Sequence, residues 1–260
     1  MDFQFKERYD INDLLRIMEI LRSENGCPWD REQDHKSIRK DFLEEVYEVC
    51  EAIDLDDSEL MKEELGDVLL QVVFHARIEE EKGNFAFGDS VNDVCRKLII
   101  RHPHVFGDVT VADSGEVLKN WNDIKQQTKG QETYTETLRS VCTALPALMR
   151  AQKIGKRSQR AGLDFPDAEA ALESLESEIA EVRTAKTPEN EAEELGDMLF
   201  AAVNAVRLKG YDAEELLTRA TDKFTDRFEK TENLVRCEGK DMRSIDINTL
   251  DAYWQKAKKQ

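Results

Sequence analysis

The pentapeptide EELGD occurs twice in the chain, at residues 63–67 and again at residues 193–197. Both copies lie in segments whose apolar residues recur at the spacing of an α-helix. A glycine in a helix interior costs about 1 kcal/mol relative to alanine, so its presence in both copies requires a reason. We expect Gly66 and Gly196 to allow another backbone or a ligand to approach closely.

The similarity between the two halves extends beyond the pentapeptide. Glu45 and Glu48 precede the first copy, Glu178 and Glu181 precede the second, and 133 residues separate the corresponding members. Each half then continues with an apolar helical segment, a lysine and arginine four residues apart, and a tryptophan among lysines. These last residues are Lys97, Arg101 and Trp121 in the first half and Lys223, Arg227 and Trp254 in the second. The shared order predicts two copies of one helical unit.

The composition favours helices in a chain long enough for two domains. Of 260 residues, 40% are hydrophobic and 35% charged, with only 12 glycines and 5 prolines, which suits helices joined by short loops. We place the first domain at residues 1–128 and the second at 129–260, because polar residues and Gly130 interrupt the apolar periodicity over residues 123–136. A connecting helix should follow, broken or kinked near residue 145 by Pro146.

Charge and hydropathy exclude several classes of protein. The net charge of -18 argues against a general nucleic-acid-binding protein, which needs a basic face. No apolar run approaches the roughly 18 residues of a membrane span, and the N-terminal residues do not resemble a signal peptide. Five widely spaced cysteines, an odd number, indicate free thiols in a reducing cytosol. We therefore expect a soluble, cytoplasmic protein that binds neither nucleic acid nor membrane.

Paired carboxylates are the clearest candidates for a metal site. Residues three apart share a helix face, so Glu45 lies beside Glu48, and Glu64 beside Asp67. Each pair borders an apolar stripe, and packing the two stripes together would bring four carboxylates to one rim. The stripes are Phe42, Val46, Val49 and Ile53 in one helix and Leu65, Val68, Leu69, Val72 and Val73 in the next. A lone Glu-x-x-Glu pair is usually solvated surface, but the repetition favours a site for Mg²⁺, with Mn²⁺ as a substitute.

The basic and aromatic residues of the second half are candidates for binding a nucleotide beside the metal. Lys223 and Arg227, one helical turn apart, can hold phosphate oxygens, and Trp254 can stack on a base of any kind. Taken singly, such a lysine–arginine pair is usually a surface ion pair, and such a tryptophan is usually packing. Together with a metal site they indicate a nucleotide polyphosphate substrate.

Several longer motifs occur in order over nearly the whole chain. They are GCPWDREQ (26–33), LEEVYEVCEAI (43–53), both EELGD copies, RHPHVFGD (101–108) and LPALMRAQKIGKR (145–157). In these motifs the chain resembles the two-domain MazG-type nucleoside triphosphate pyrophosphohydrolases. The resemblance implies an all-α fold, a tandem repeat of two four-helix-bundle-type domains, and a homodimer. It also implies Mg²⁺-dependent hydrolysis of nucleoside triphosphates to monophosphates and pyrophosphate.

The resemblance further implies which residues act. In proteins of that family the metal ligands are a Glu-x-x-Glu pair and a Glu-x-x-Asp pair, and in the two-domain members the C-terminal copy is the main catalytic one. In this chain those ligands are Glu178, Glu181, Glu194 and Asp197, with Lys223, Arg227 and Trp254 at the nucleotide. A possible second site comprises Glu45, Glu48, Glu64, Asp67, Lys97, Arg101 and Trp121. The chain departs from the family at one position: a glutamate often precedes the first pair, as Glu44 does, but Ser177 stands there in the C-terminal copy. If that acid assists a second ion or orients water, the C-terminal site is weakened.

Other functions remain open at this point. The leading hypothesis is a pyrophosphohydrolase of broad base specificity that cleanses the nucleotide pool or acts in stress responses. The alternatives are a non-catalytic nucleotide-sensing helical scaffold and a metal-dependent phosphatase that releases orthophosphate. The glycine-spaced stretch GNFAFGDS (83–90) has aspartate where a phosphate-binding loop needs lysine, so it predicts a helix-ending turn. His35 and His75 are interpreted as isolated, with His75 packed or hydrogen-bonded rather than catalytic.

Overall fold

A computed structural model describes residues 3–128 and 130–259, and within these ranges the chain forms helices and no strand. This confirms the predicted all-α class. The chain divides into two compact units, Met1–Lys125 and Gln126–Gln260. No helix of the described residues is both long enough and apolar enough to cross a membrane.

The first unit contains seven helices. They are α1 (Ile11–Arg22), α2 (Pro28–Glu32), α3 (Arg39–Asp54), α4 (Ser58–Glu81), α5 (Phe87–Arg101), α6 (Pro103–Phe106) and α7 (Ser114–Thr128). Helices α3 and α4 form an antiparallel hairpin, whose tight turn has Asp56 in the left-handed region (φ 52°) and Asp57 as the N-cap of α4. The core lies where α1 packs on α4, around Met18, Val73 and Phe74.

The second unit contains six α-helices and a short 3₁₀ turn. They are α8 (Tyr134–Arg139), α9 (Ala147–Arg160), α10 (Ala168–Thr184), α11 (Pro188–Leu208), α12 (Ala213–Cys237), the 3₁₀ turn (Met242–Ser244) and α13 (Ile247–Ala257). Helices α10 and α11 form the hairpin that corresponds to α3 and α4. Helix α9 packs on α11 at Gly155, where an added Cβ would lie 2.6 Å from Asn204 Oδ1. The buried Arg207 also lies against Gly155, and its guanidinium pairs with both carboxylate oxygens of Asp164.

The join between the units lies inside the stretch 123–136. The division falls between residues 125 and 126, within α7, which continues to Thr128. The predicted boundary between residues 128 and 129 adjoins Lys129, which lies outside the described residues. The connecting helix is interrupted from residue 140 to Pro146, and α9 starts immediately after the proline. Proline suits this place because it can precede a helix but disrupts its interior.

The apolar stripes are only partly buried. Val73 is 1% exposed, but Leu65 is 51% exposed, and Val46, Ile53, Leu69 and Val72 are also exposed. The expectation that the two stripes bury each other is therefore wrong for five of their nine residues. The physical reason is that α4 buries its Val73 side against α1, whereas among the described residues Leu65, Leu69 and Val72 on its other side stay exposed.

The two EELGD glycines face open space. A Cβ built at Gly66 or Gly196 would meet no atom within 4 Å, apart from its own helix backbone and chain neighbours. Within the described residues, no second backbone approaches either glycine. Among the described residues, no other part of the chain accounts for these glycines, so the close approach of a ligand or of a second copy's backbone stays a prediction.

Candidate metal centre

The hairpin of the first unit brings three carboxylates together. Glu45 and Glu48 lie one turn apart on α3 and face Glu64 on α4, and one oxygen from each of these three side chains lies within 4.8 Å of the others. Glu64 is 8% exposed. Asp67 is not part of this group of three, although its charge contributes to raising the pKa of Glu45.

The hairpin of the second unit brings together a different set of three. Oxygens of Glu178, Glu194 and Asp197 lie within 4.8 Å of one another. Glu181 is exposed and accepts a hydrogen bond from the Ser177 hydroxyl at 3.2 Å, which leaves it outside the group. Each unit thus assembles three of its four predicted ligands, and the missing one is the aspartate in the first unit and a glutamate in the second.

The electrostatics of both clusters favour binding of a cation. Burial, followed by the charge of Asp67, raises the pKa of Glu45. Burial and then Glu48 raise the pKa of Glu64, and burial and then Glu181 raise that of Glu178. Within the described ranges, none of the ion pairs involves a member of either cluster. The carboxylates therefore repel one another without a protein cation to offset the repulsion.

The residues present fit a hard divalent cation. Three convergent carboxylate oxygens are the donors that Mg²⁺ accepts alongside water molecules. Gln71, one turn beyond Asp67 on the same face of α4, is 8% exposed, and its Oε1 has no hydrogen-bond partner among the described residues. A buried acceptor without a donor is unusual, and a hydrated cation nearby would supply one. The second unit has Ala201 at the corresponding position.

In the second unit, the predicted phosphate-binding and stacking residues are available to a ligand. Lys223 is exposed and Arg227 is half-buried on α12, and within the described residues neither side chain makes a hydrogen bond or ion pair. The half-buried Trp254 of α13 packs against Phe224, with ring centroids 5.1 Å apart. The structure thus places the tryptophan beside the segment of α12 that carries the two cations.

In the first unit, the corresponding residues contact each other instead. Arg101 is 9% exposed, and its guanidinium carbon lies 5.3 Å from the centre of a Trp121 ring. His102 packs on the same tryptophan, with ring centroids 4.8 Å apart. Lys97 remains exposed. Arg101 is thus held against Trp121 by a cation–π contact.

Some contacts near the two hairpins were not predicted from the sequence. Asn190 donates from Nδ2 to Glu194 Oε1 at 2.7 Å; its position four residues before Glu194 was the available signal. The interpretation of His35 and His75 as isolated is wrong, because their Nδ1 atoms lie 2.7 Å apart. His35 Nε2 is also 2.5 Å from Glu79 Oε1. The expectation that His75 is hydrogen-bonded is confirmed.

Comparison with known proteins gives consistent matches. Residues 33–106 match the MazG nucleotide pyrophosphohydrolase domain. The chain is 45% identical over 246 residues to the nucleoside triphosphate pyrophosphohydrolase/pyrophosphatase MazG of Thermotoga maritima, a match that covers 95% of this chain and 94% of that relative. It is 42% identical over 256 residues to the nucleoside triphosphate pyrophosphohydrolase of Escherichia coli K12, covering 96% and 97% of the two chains.

A solved structure, that of a mazG-related protein from Thermotoga maritima, covers 45% of this chain and 99% of its own, with 26% identity and a TM-score of 0.39. The two relatives match at high identity over almost their whole length. The matched domain includes the first carboxylate hairpin. The chain therefore belongs to the MazG family of nucleoside triphosphate pyrophosphohydrolases.

Proposed function

We propose that this protein hydrolyses ribo- and deoxyribonucleoside triphosphates to nucleoside monophosphates and pyrophosphate in the presence of Mg²⁺, and that the C-terminal unit is its main catalytic copy. The observation that carries the proposal is the triad of Glu178, Glu194 and Asp197 in a unit where, among the described residues, the side chains of Lys223 and Arg227 make no hydrogen bond or ion pair. The names of the two full-length relatives support the reaction.

In this reaction the chain's own residues would have distinct roles. The triad would hold the cation, which when bound neutralises phosphate charge and makes a nearby water more acidic. Lys223 and Arg227 would bind phosphate oxygens and stabilise the charge that develops on the leaving pyrophosphate. Water would attack the α-phosphorus in line, and the bond between the α-phosphorus and the bridging oxygen would break. No covalent enzyme intermediate is required.

Stacking supports a broad base specificity. Trp254 offers an aromatic face, and stacking discriminates little between bases because each has a π face. Such an enzyme would suit cleansing of the nucleotide pool or a stress response. All five cysteines are free, and four of them are exposed, which supports a reducing compartment such as the cytoplasm.

The exposed apolar residues of the hairpins support a homodimer. Leu65, Leu69 and Val72 on α4 are exposed, as are Leu195 and Leu199 on α11. Apolar residues grouped on one face, beside a glycine in open space, are typical of an interface. A second copy that placed its own hairpin on this face would complete a four-helix arrangement.

Product identification by phosphorus NMR tests the reaction. The purified chain would be incubated with ATP or dTTP, at matched Mg²⁺ and in EDTA. Monophosphate and pyrophosphate that form only with metal are the expected products. Orthophosphate as the first product would favour the phosphatase alternative, and nucleotide binding without any product would favour the sensing scaffold.

A further inference from the structure

Glu194 has a hydrogen-bond partner that its N-terminal counterpart lacks. Asn190 lies one turn before Glu194 on α11, and its side-chain amide donates to Glu194 Oε1 at 2.7 Å. Both residues are half-buried. An ionised carboxylate only accepts hydrogen bonds, so the NH₂ side of the amide must face it. One oxygen of Glu194 is therefore fixed while the carboxylate remains close to Glu178 and Asp197.

Asn190 is itself held by the start of the helix. It is the third residue of α11, and its backbone N–H donates to the hydroxyl of Thr187, the N-cap, at 3.2 Å. Pro188 occupies the first helical position, where its fixed φ favours the helix. The amide donor thus stands on an ordered first turn, and its hydrogen bond restricts the rotamers of Glu194.

The matching position of the first unit has no donor. Leu60 lies four residues before Glu64, as Asn190 lies four residues before Glu194. A leucine side chain cannot hydrogen-bond, so nothing at this position orients Glu64. Glu64 is buried instead, in a cluster with Glu45 and Glu48. The two hairpins therefore differ in how their second helix holds its glutamate.

We infer that Asn190 is a positioning residue of the C-terminal site, which orients Glu194 toward a divalent cation and so makes this site bind the cation more tightly than the N-terminal site. This inference rests on the proposed function, because the cation is the cofactor of that reaction. Hydrogen-bond partners of metal ligands change metal affinity by about 10- to 100-fold in other metal sites. An effect of that size would distinguish two otherwise similar clusters.

The test measures Mn²⁺ binding to the full chain by titration calorimetry and electron paramagnetic resonance. Glu64→Ala and Asp67→Ala together remove the N-terminal site, so that the remaining binding reports the C-terminal one. In this background Asn190→Leu, which installs the residue of the other unit, should weaken Mn²⁺ binding about 10- to 100-fold. Asn190→Gln retains an amide donor and should restore much of the affinity.

A control and a reciprocal variant complete the design. Asn248→Leu changes an exposed asparagine in the first turn of α13 and should leave Mn²⁺ affinity unchanged. Leu60→Asn, measured in a chain lacking Glu194 and Asp197, should tighten binding at the N-terminal site. Circular dichroism and thermal unfolding of every variant report whether the helices remain intact.

Each outcome decides the inference. An unchanged Mn²⁺ affinity in Asn190→Leu overturns it, as does a wild-type C-terminal site that binds no Mn²⁺. Equal losses in the Leu and Gln variants, with a matching fall in the unfolding temperature, indicate a purely structural role and also overturn it. Weaker binding in Asn190→Leu with recovery in Asn190→Gln supports the inference even if wild-type protein releases no pyrophosphate, in which case the proposed reaction alone fails.

Discussion

The two units carry the same carboxylate hairpin in different surroundings. In the first, Glu64 is buried with leucine at the position of the amide donor, and Arg101 is buried against Trp121. In the second, Asn190 donates to Glu194, and among the described residues the Arg227 side chain makes no hydrogen bond or ion pair. The hairpin alone therefore does not determine which copy acts. On the proposed function, the residues around it would decide how firmly a cation is held and how an arginine is presented to phosphate.

The units also differ in how their second hairpin helix is anchored. Arg207 of α11 is buried in a paired contact with Asp164, whereas Arg77 of α4, at the corresponding position, pairs with Glu80 and Glu81 on its own helix. The repeated arginine thus pairs directly with another chain segment in one unit and with residues of its own helix in the other. This contrast, like that of the two sites, can be tested with matched substitutions.

The largest effect is expected from removing the carboxylates themselves. Glu194→Ala with Asp197→Ala should lower pyrophosphate release about a thousandfold or more, because metal stabilisation worth several kcal/mol is lost. Glu64→Ala with Asp67→Ala should have a much smaller effect. Steady-state pyrophosphate release measures both, and circular dichroism should show little loss of helix because repulsion is relieved. If the N-terminal pair proves essential, the choice of catalytic unit is wrong.

The next largest effect concerns stability. Arg207→Ala should lower the free energy of unfolding of the second unit by about 3–5 kcal/mol, because it leaves the carboxylate of Asp164 without its partner in a largely buried place. Arg77→Ala, which removes pairs at the surface, should cost the first unit less than about 1 kcal/mol. Urea unfolding followed by fluorescence of Trp254 reports the second unit. Equal losses in the two variants would contradict the contrast.

Matched substitutions of the two arginines should separate catalysis from packing. Arg227→Ala should lower kcat/KM about 10- to 100-fold, because a charged hydrogen bond to phosphate is worth roughly 1.5–3 kcal/mol. Arg101→Ala should leave kcat/KM nearly unchanged but destabilise the first unit by about 1–2 kcal/mol, since its cation–π contact with Trp121 is lost. Kinetics and urea unfolding of the same preparations provide the measurement, and a kinetic defect in Arg101→Ala would show that the first site also turns over.

The smallest effect is a pH dependence that only the first unit should have. Burial, and then the neighbouring His35, lower the pKa of His75. As the pH falls, His75 is therefore protonated in the unfolded chain before it is protonated in the folded one. Its contribution to the free energy of unfolding is complete above the ordinary histidine pKa and declines as the pH falls below that value. Glu79, whose pKa is lowered to about 2, loses its contribution only at more acidic pH. Acidification from pH 7.5 to 5.5 should thus lower the stability of the first unit.

The second unit has Ala205 where the first has His75, so its stability should not share this dependence. His75→Ala should flatten the pH profile of the first unit. Unfolding temperatures measured at both pH values, with tryptophan fluorescence assigned through a Trp254→Phe variant, check the prediction. A profile that stays steep without the imidazole would attribute the effect to other groups.

Local patterns made much of the fold predictable. Each of the patterns that predicted helices can be read within a few helical turns: the apolar periodicity, the EELGD pentapeptide and the three-residue spacing of the glutamates. The described helices confirm the all-α class. Which three acids converge in each unit depends on side-chain rotamers. Glu181, for example, accepts a hydrogen bond from Ser177 and lies outside the group, which residue spacing cannot show. The His35–His75 contact joins residues 40 positions apart, so no local pattern indicates it.

Burial was harder to predict than helix position. The apolar stripes are real, but whether Leu65 and Leu69 are covered depends on surfaces beyond their own hairpin. Similarly, Arg101 and Arg227 occupy equivalent places in the repeat, but Arg101 is buried beside Trp121 and Arg227 is half-buried. Periodicity identifies which residues share a face, and the tertiary arrangement determines what that face meets.

The glycines of the two EELGD copies have a consequence for helix dynamics. Gly66 and Gly196 lie in the middle of long helices beside open space, so they lower helix propensity where no packing compensates. Amide hydrogens around these glycines should therefore exchange with solvent faster than those nearer the core, through local opening of α4 and α11. Binding that orders the adjacent acids would slow this exchange. In both copies, the glycine would set how readily the helix opens beside its acid cluster.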